Sequence, residues 1–343
     1  MVRSSGLSQN LGASRLAASS IPLEPVWTDA NAIKDQVSLR VLLIVNPAAA
    51  GGVAQGRCGT VLDLLTARGI EAEQALTSHA GHAVEIAQQA VKTFDIVAAV
   101  GGDGTVNEVA NGLLLAGAVG TRLAVVPVGT GNDVAQLVGI GSVAAAVEAI
   151  VAGQVRAIDV IEVVAGAAGA KETRYALLLA AIGFATEILK KTTPRVKRLF
   201  GPRYCYSVGF FRALCSYRAP FVLAECDGRR FAGRMLLACA GNSPFAGGGV
   251  MHFSPGARID DGLLNISLID AAGRLETLRL FPSLLKGTHV HHPKVRYFTA
   301  PSLSVESDPP VPIQIDGDHF GATPATFTVR PRALRIVVPS ERR

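Results

Sequence analysis

The chain has 343 residues, 49% hydrophobic and only 17% charged, with 36 glycines and 18 prolines. That length is too great for one ordinary domain, and the composition excludes general disorder in favour of two turn-rich globular units with a cleft between them. Lys+Arg 33 against Asp+Glu 27 leaves a net +6, which suits an anionic partner such as a nucleotide or an acidic bilayer. With 6% aromatic residues and no basic stretch interleaved with stacking residues, nucleic acid is set aside.

Residues 1–38, rich in Ser and Ala and weakly like a transit peptide, are read as an untethered tail outside the fold. From Arg40 short apolar runs alternate with helical ones. Strands are expected at 40–46, 70–77, 95–100 and 123–126, and helices at 54–68, 80–92 and 105–115. Repeated β-α units of this kind give a doubly wound parallel sheet, with ligands at the carboxyl ends of its strands.

Three loops in this half carry chemistry. Asn46-Pro-Ala-Ala-Ala-Gly-Gly52 follows the first strand, and its small residues let backbone amides approach a phosphate at a helix N-terminus. The segment 51–58 lacks the Lys and Ser/Thr of a P-loop, so that reading is rejected. Gly101-Gly-Asp-Gly-Thr-Val-Asn107 follows the third strand; its glycines clear Cβ atoms from the approach, and Asp103 sets a carboxylate suited to Mg²⁺ or a hydroxyl. Gly129-Thr-Gly-Asn-Asp133 follows the fourth, where Asp133 reads equally well as a helix cap or a functional group.

After residue 159 closely spaced strand-like runs follow, at 174–183, 220–227, 230–242, 263–270, 302–306, 311–315 and 326–329. Asp-Gly turns at 227, 261 and 316 separate them, which favours an antiparallel sandwich, interrupted by one helix at about 197–215. Lys190, Lys191, Arg195, Lys197, Arg198 and Arg203 form a basic cluster, either a solvated face or a contact with an anionic leaflet. The five cysteines are odd in number with no Cys-x-x-Cys pair, which indicates a reducing cytoplasm and neither disulfides nor zinc. No window approaches the ~18 apolar residues of a spanning helix, so membrane contact is expected to be peripheral.

In order and spacing, Asn46-Pro47, Gly101 to Glu108, Gly129 to Asp133, Asn242-Ser243, Asp260-Asp261-Gly262, Lys286-Gly-Thr-His289 and Asp316-Gly317 resemble the diacylglycerol kinase catalytic-domain family, especially its soluble bacterial lipid kinases. The resemblance implies an α/β ATP-binding domain at 39–158, with residues 331–343 packing back on it. It implies a β-sandwich lipid-substrate domain at 159–330 and an active site in the cleft between the two. By position, Asn46, Pro47, Ala48, Ala49, Ala50, Thr77, Gly101, Gly102, Asp103, Gly104, Thr105, Val106, Asn107 and Thr130 would line the ATP site. Asp261, with the carbonyls of Arg258 and Leu263, would hold a structural Mg²⁺, although an Asp-Gly hairpin turn explains the same residues without it. The proton acceptor would be Asp318, with Asp316 the nearby alternative and Asp103 acting through Mg²⁺. Implied partners are a lipid alcohol, diacylglycerol foremost, and the surface of an anionic membrane; a homodimer fits the same picture.

The chain departs from the family's pattern at Ala49 and Ala50, where Ser and Gly are usual. It departs again at Val134 and Gln136, where Phe and Arg are usual, and at Asp318, where Glu is usual. Two alternatives therefore stand beside the lipid kinase: an NAD kinase, which also carries a Gly-Gly-Asp-Gly loop, and a non-catalytic lipid- or nucleotide-binding regulator.

Overall fold

The computed structural model describes residues 39–49, 53–166 and 170–340; the expected tail and Ala50 lie outside them. The first half alternates β1 (Arg40–Val45), α1 (Val53–Thr66), β2 (Glu71–Leu76), α2 (His82–Ala90), β3 (Ile96–Gly101), α3 (Asp103–Leu115) and β4 (Arg122–Pro127). β1, β3 and β4 are almost wholly buried, as strands covered by helices on both faces must be. All pair in parallel in the order β2-β1-β3-β4. The direction of winding reverses at β1, so the loops leaving β1 and β3 diverge and open a crevice at their carboxyl ends.

Next come α4 (Asp133–Leu137), α5 (Val143–Ala152), β5 (Val155–Ala165), β6 (Glu172–Ala176), β7 (Leu179–Gly183), α6 (Phe184–Lys191), α7 (Pro194–Ser216), β8 (Phe221–Cys226) and β9 (Arg229–Gly241). The chain finishes with β10 (Leu264–Asp270), α8 (Arg274–Leu285), β11 (Val295–Ala300), β12 (Ser302–Asp308), β13 (Pro312–Ile315), β14 (Asp318–Ala322) and β15 (Ala325–Val337). These strands build an antiparallel sandwich whose inner faces share one core, including Ile161, Ile182, Ala240, Ile266, Leu303, Ile315 and Phe327. A further apolar cluster fills the space between the outer face of β7 and β9 and the helices α6, α7 and α8.

Two long strands belong to both halves. β15 pairs with β12 and β5 in the sandwich, bulges after Arg330, and runs on to lie parallel to β4 at Ile336. β5 follows it throughout, so the boundary expected after residue 158 falls inside a continuous strand.

The run at 174–183 is two strands rather than one, because the Leu177, Leu178 and Leu179 amides turn away from the ladder to a carboxylate described below. The single helix expected at 197–215 is, among the described residues, one of three α-helices packed on the sandwich, and it is broken at Gly201, where φ is 68°. α6 was hidden because its apolar start continues that of β7, the chain turning at Gly183 with φ 97°. α8 carries Pro282 in its interior, which argues against a helix on sequence grounds. α7 starts earlier than expected, at Pro194, where the Thr193 hydroxyl accepts the Val196 amide as an N-cap.

Candidate active site

The loops after β1, β3 and β4 meet α6, α7 and the turn between β13 and β14 around a cleft of about 870 Å³. Of the residues expected at the site, Asn46, Ala49, Gly102, Asp103, Gly104, Thr105, Thr130, Asp316 and Asp318 line it. Pro47, Ala48, Thr77, Gly101, Val106 and Asn107 lie outside that lining. So do Arg258, Asp261 and Leu263, at the separate turn before β10.

The second and third loops are fitted to each other. A Cβ on Gly102 would stand 3.4 Å from the Gly129 Cα, and one on Gly129 would collide with Gly102, so the backbones touch with no side chain between them. Gly104 faces open space. α3 begins here with Gly102 as N-cap and no side chain capping it, which leaves first-turn amides and the positive end of the helix dipole for an anion. The Asn132 Oδ1, buried beside Gly129, has no partner among the described residues. Bare helix amides and glycine-on-glycine packing fit a nucleotide's phosphates.

Four carboxylates face this cleft: Asp103, Asp133, Asp316 and Asp318. Asp103 Oδ1 accepts the Val134 amide at 3.2 Å, tying the second loop to the third. Burial, then the fields of Asp133 and Asp316, push its pKa up to about 6. Among the described residues no three His, Cys, Asp or Glu side chains are grouped to hold a metal by themselves, so Asp103 could offer only a single carboxylate to a Mg²⁺ carried with a nucleotide.

Asp133 acts neither as a side-chain helix cap nor as a free group. Its carboxylate accepts the Gly248 amide at 2.9 Å and the Gly249 amide at 2.6 Å, fastening to α4 a strap closed by the bridge between Ala246 and Met251. Gly247, Gly248 and Gly249 all have φ near +75°, which only glycine adopts cheaply in succession. The glycine triplet is the signal that could have revealed this wall of the site. Gln136, in place of the usual Arg, donates to the Gly131 carbonyl at 2.8 Å and so braces the third loop.

The two carboxylates of the β13–β14 turn have opposite surroundings. Asp316 accepts the amides of Leu177, Leu178 and Leu179 and the Asn107 amide group, at 2.7 to 2.9 Å. Burial pushes its pKa up while those four donors pull it down. With its lone pairs taken by protein donors, it fixes the turn against β7. Asp318 is exposed, and its Oδ2 meets the Arg174 guanidinium at 3.4 Å. Arg174 also donates to Asn107 Oδ1 at 3.2 Å, while Asn107 Nδ2 reaches the Tyr175 carbonyl at 3.1 Å. Asn107 is therefore a buried keystone between α3 and the sandwich, and Arg174 is a rim residue that sequence reading passed over.

At the turn before β10, Asp261 is exposed and its Oδ1 accepts the Leu263 amide at 3.1 Å. The buried Asp159 accepts the Gly262 amide at 2.7 Å and the Arg332 amide at 2.7 Å, so the protein's own bonds close this turn. The remaining Asp261 oxygen and the neighbouring carbonyls are an oxygen-only set, compatible with a hard cation.

Below the cleft, past Ala185, Ile188 and Phe253, lies an apolar pocket among α6, α7 and α8, lined also by Phe184, Phe210, Leu280 and Phe281. His289 is buried there, with neither ring nitrogen hydrogen-bonded among the described residues, and burial pushes its pKa down to about 4 against a weaker pull from the Phe253 backbone.

Sequence comparisons agree with this division of labour. Residues 40–163 match the profile described as "Diacylglycerol kinase catalytic domain", and residues 185–338 that of the "YegS C-terminal NAD kinase beta sandwich-like domain". The diacylglycerol kinase of Staphylococcus haemolyticus is 29% identical over 301 residues, covering 87% of this chain and 88% of that protein. That of Bacillus subtilis is 29% identical over 306 residues, covering 88% and 97%. Among solved structures, a diacylglycerol kinase from Bacillus anthracis superposes with TM-score 0.65 at 21% identity, covering 89% of this chain and 98% of that one. Yeast NADH kinase does so with TM-score 0.50 at 10% identity, covering 89% and 85%, which shows shared architecture alone. With both halves matched in order and the glycine loops facing one cleft, the chain belongs to the diacylglycerol kinase catalytic-domain family, a family of lipid kinases.

Proposed function

We propose that the protein transfers the γ-phosphate of ATP to the hydroxyl of a membrane lipid, with diacylglycerol as the leading substrate and phosphatidic acid as the product. The carrying observation is a single cleft with a phosphate-accepting wall of glycine loops on one side and an apolar pocket opening through Ala185, Ile188 and Phe253 on the other. An NAD kinase needs a polar site for its dinucleotide substrate, whereas this small pocket of about 40 Å³ is walled by apolar side chains, Phe184, Phe210 and Phe281 among them.

In this reading the amides at the start of α3 hold the phosphates, and Asp103 would hold Mg²⁺ through its free carboxylate oxygen. Mg²⁺ bound there supplies neutralisation of the charge on the β- and γ-phosphates. Asp318 takes the proton of the attacking hydroxyl, because it is the carboxylate of its turn with an uncommitted oxygen. Asp316 holds that turn in place. Asp261 and the carbonyls of Arg258 and Leu263 would bind a second, structural Mg²⁺. Removal of Asp261 by substitution to Ala is then expected to abolish the rise in thermal midpoint that Mg²⁺ gives the parent; an equal rise in both would sink that site.

α7, broken at Gly201, exposes Leu199 and Phe200 before the break and Tyr204 and Phe211 after it, with Arg195 exposed on the first segment and Arg212 on the second. An apolar and basic face beside the cleft mouth suits an anionic bilayer, where each cation near the surface contributes about 1 kcal/mol. Lys197, Arg198 and Arg203 have no described side-chain positions. Among the described residues no helix is long and apolar enough to cross a membrane. Incubation with labelled ATP and either mixed lipids or NAD tests the reading: label in a lipid extract is expected, and label in NADP would overturn it.

A further inference from the structure

The cleft has an electrostatic deficit. Its lining holds Asp103, Asp133, Asp316 and Asp318 and, among the described residues, no Lys or Arg. A phosphoryl group in flight spreads negative charge over three equatorial oxygens, and its enzymes surround those oxygens with cations. One divalent ion beside four carboxylates does not restore the balance. The missing charge stands at the rim. Arg174, on β6, has a side chain only 25% exposed and is, among the described residues, the guanidinium bonded to a cleft-lining carboxylate.

Both of its recorded bonds come from Nη2, to Asn107 Oδ1 and to Asp318 Oδ2. Asn107 is itself fixed by the Tyr175 carbonyl, Asp316 and Asn111. Nη1 and Nε donate to no described residue, although a guanidinium carries five N–H donors in a rigid fork. A 3.4 Å ion pair whose carboxylate is half-exposed contributes little to stability, so stability does not explain an arginine sunk into this rim. A cation pinned on one edge and open on the other, beside the residue that would take the hydroxyl proton, is preorganised for an anion arriving between them.

We propose that Arg174 is the cationic clamp of this site, its free edge binding equatorial oxygens of the phosphoryl group as it passes from ATP to the acceptor hydroxyl. The proposal rests on the kinase reading above, and adds to it the residue that balances the cleft's charge. No further co-reactant is involved: the bond from the γ-phosphorus to the bridging oxygen of ADP breaks, the bond to the acceptor oxygen forms, and the hydroxyl proton passes to Asp318.

The test is calorimetric binding of ADP and of ADP with aluminium fluoride, a planar mimic of the moving phosphoryl, in Mg²⁺, to the parent, Arg174→Gln and Arg174→Lys. The parent is expected to prefer the fluoride complex. Arg174→Gln should bind ADP alone within about threefold of the parent while losing that preference by at least about 10²-fold, with a comparable loss of kcat, in line with guanidinium clamps elsewhere. Arg174→Lys, a point charge without the fork, should fall between them, and decides the matter if the Gln protein does not fold. Undiminished preference for the fluoride complex in a folded variant overturns the clamp. So does a kcat that recovers at high pH because the acid limb has moved up, since Arg174 would then only hold Asp318 ionised. A parent that binds no nucleotide overturns the kinase reading, and the clamp with it.

Discussion

Asp316 and Asp318 stand two residues apart, and their surroundings divide structure from chemistry. Asp316→Asn would turn an amide donor toward either the Leu177 N–H and the Asn107 amide group or the Leu178 and Leu179 N–H groups, so it is expected to cost about 2–3 kcal/mol and lower the urea midpoint. Asp318→Asn should leave that midpoint unchanged and lower kcat by about 10²-fold or more, the usual worth of a general base. Equal unfolding midpoints for the two variants would show that the assignment is wrong. Asp103 makes a third case, because burial and the fields of Asp133 and Asp316 push its pKa up to about 6. The folded protein then holds the proton more tightly than the unfolded chain, so ionised Asp103 costs stability above that pH, and the cost fades as pH falls toward 4. Asp103→Asn without ligand should therefore be more stable than the parent at pH 8, on the order of 1–2 kcal/mol after allowance for solvent screening, and equal to it near pH 4. The same variant should bind Mg²⁺–ATP worse. A gain that grows on acidification would contradict the sign.

At the scale of elements, the parallel half was legible because buried strands and glycine loops follow each other at β-α-β spacing. Asn46, residues 102–105 and Thr130 line the cleft, since loops after neighbouring parallel strands cannot avoid one another. What stayed hidden depends on contacts made across the chain. The break between β6 and β7 exists because a carboxylate 137 to 139 residues away draws the Leu177–Leu179 amides out of register. The roles of Asp133 and Asn107 are set by partners 116 and 209 residues distant, which no local propensity encodes. The strap is the element most open to test. Asp133→Ala removes both bonds to Gly248 and Gly249, and should speed amide exchange at residues 247–249 by about tenfold or more, at roughly 1.5 kcal/mol or more per charged bond lost. Unchanged exchange there would mean that the strap is held by packing alone.

For the whole molecule, β5 and β15 run unbroken from the parallel sheet into the sandwich, and their antiparallel pairing makes a stiff connection between the halves. The cleft is thus bounded by walls that share two strands, and the site is framed before any ligand arrives. Gly104→Val tests whether that frame is a nucleotide site. The glycine meets nothing within 4 Å, so an added side chain disturbs no packing and projects into open space at the start of α3. A folded Gly104→Val protein should lose ATP affinity by at least about tenfold, and unchanged affinity would put the nucleotide elsewhere. The most direct measurement of the central claim is transfer of label from γ-labelled ATP in diacylglycerol mixed micelles, run side by side with the parent and Asp318→Asn. Label in phosphatidic acid from the parent, falling about 10²-fold or more in Asp318→Asn, is the predicted result. Label in no lipid, or equal label from both proteins, would contradict it.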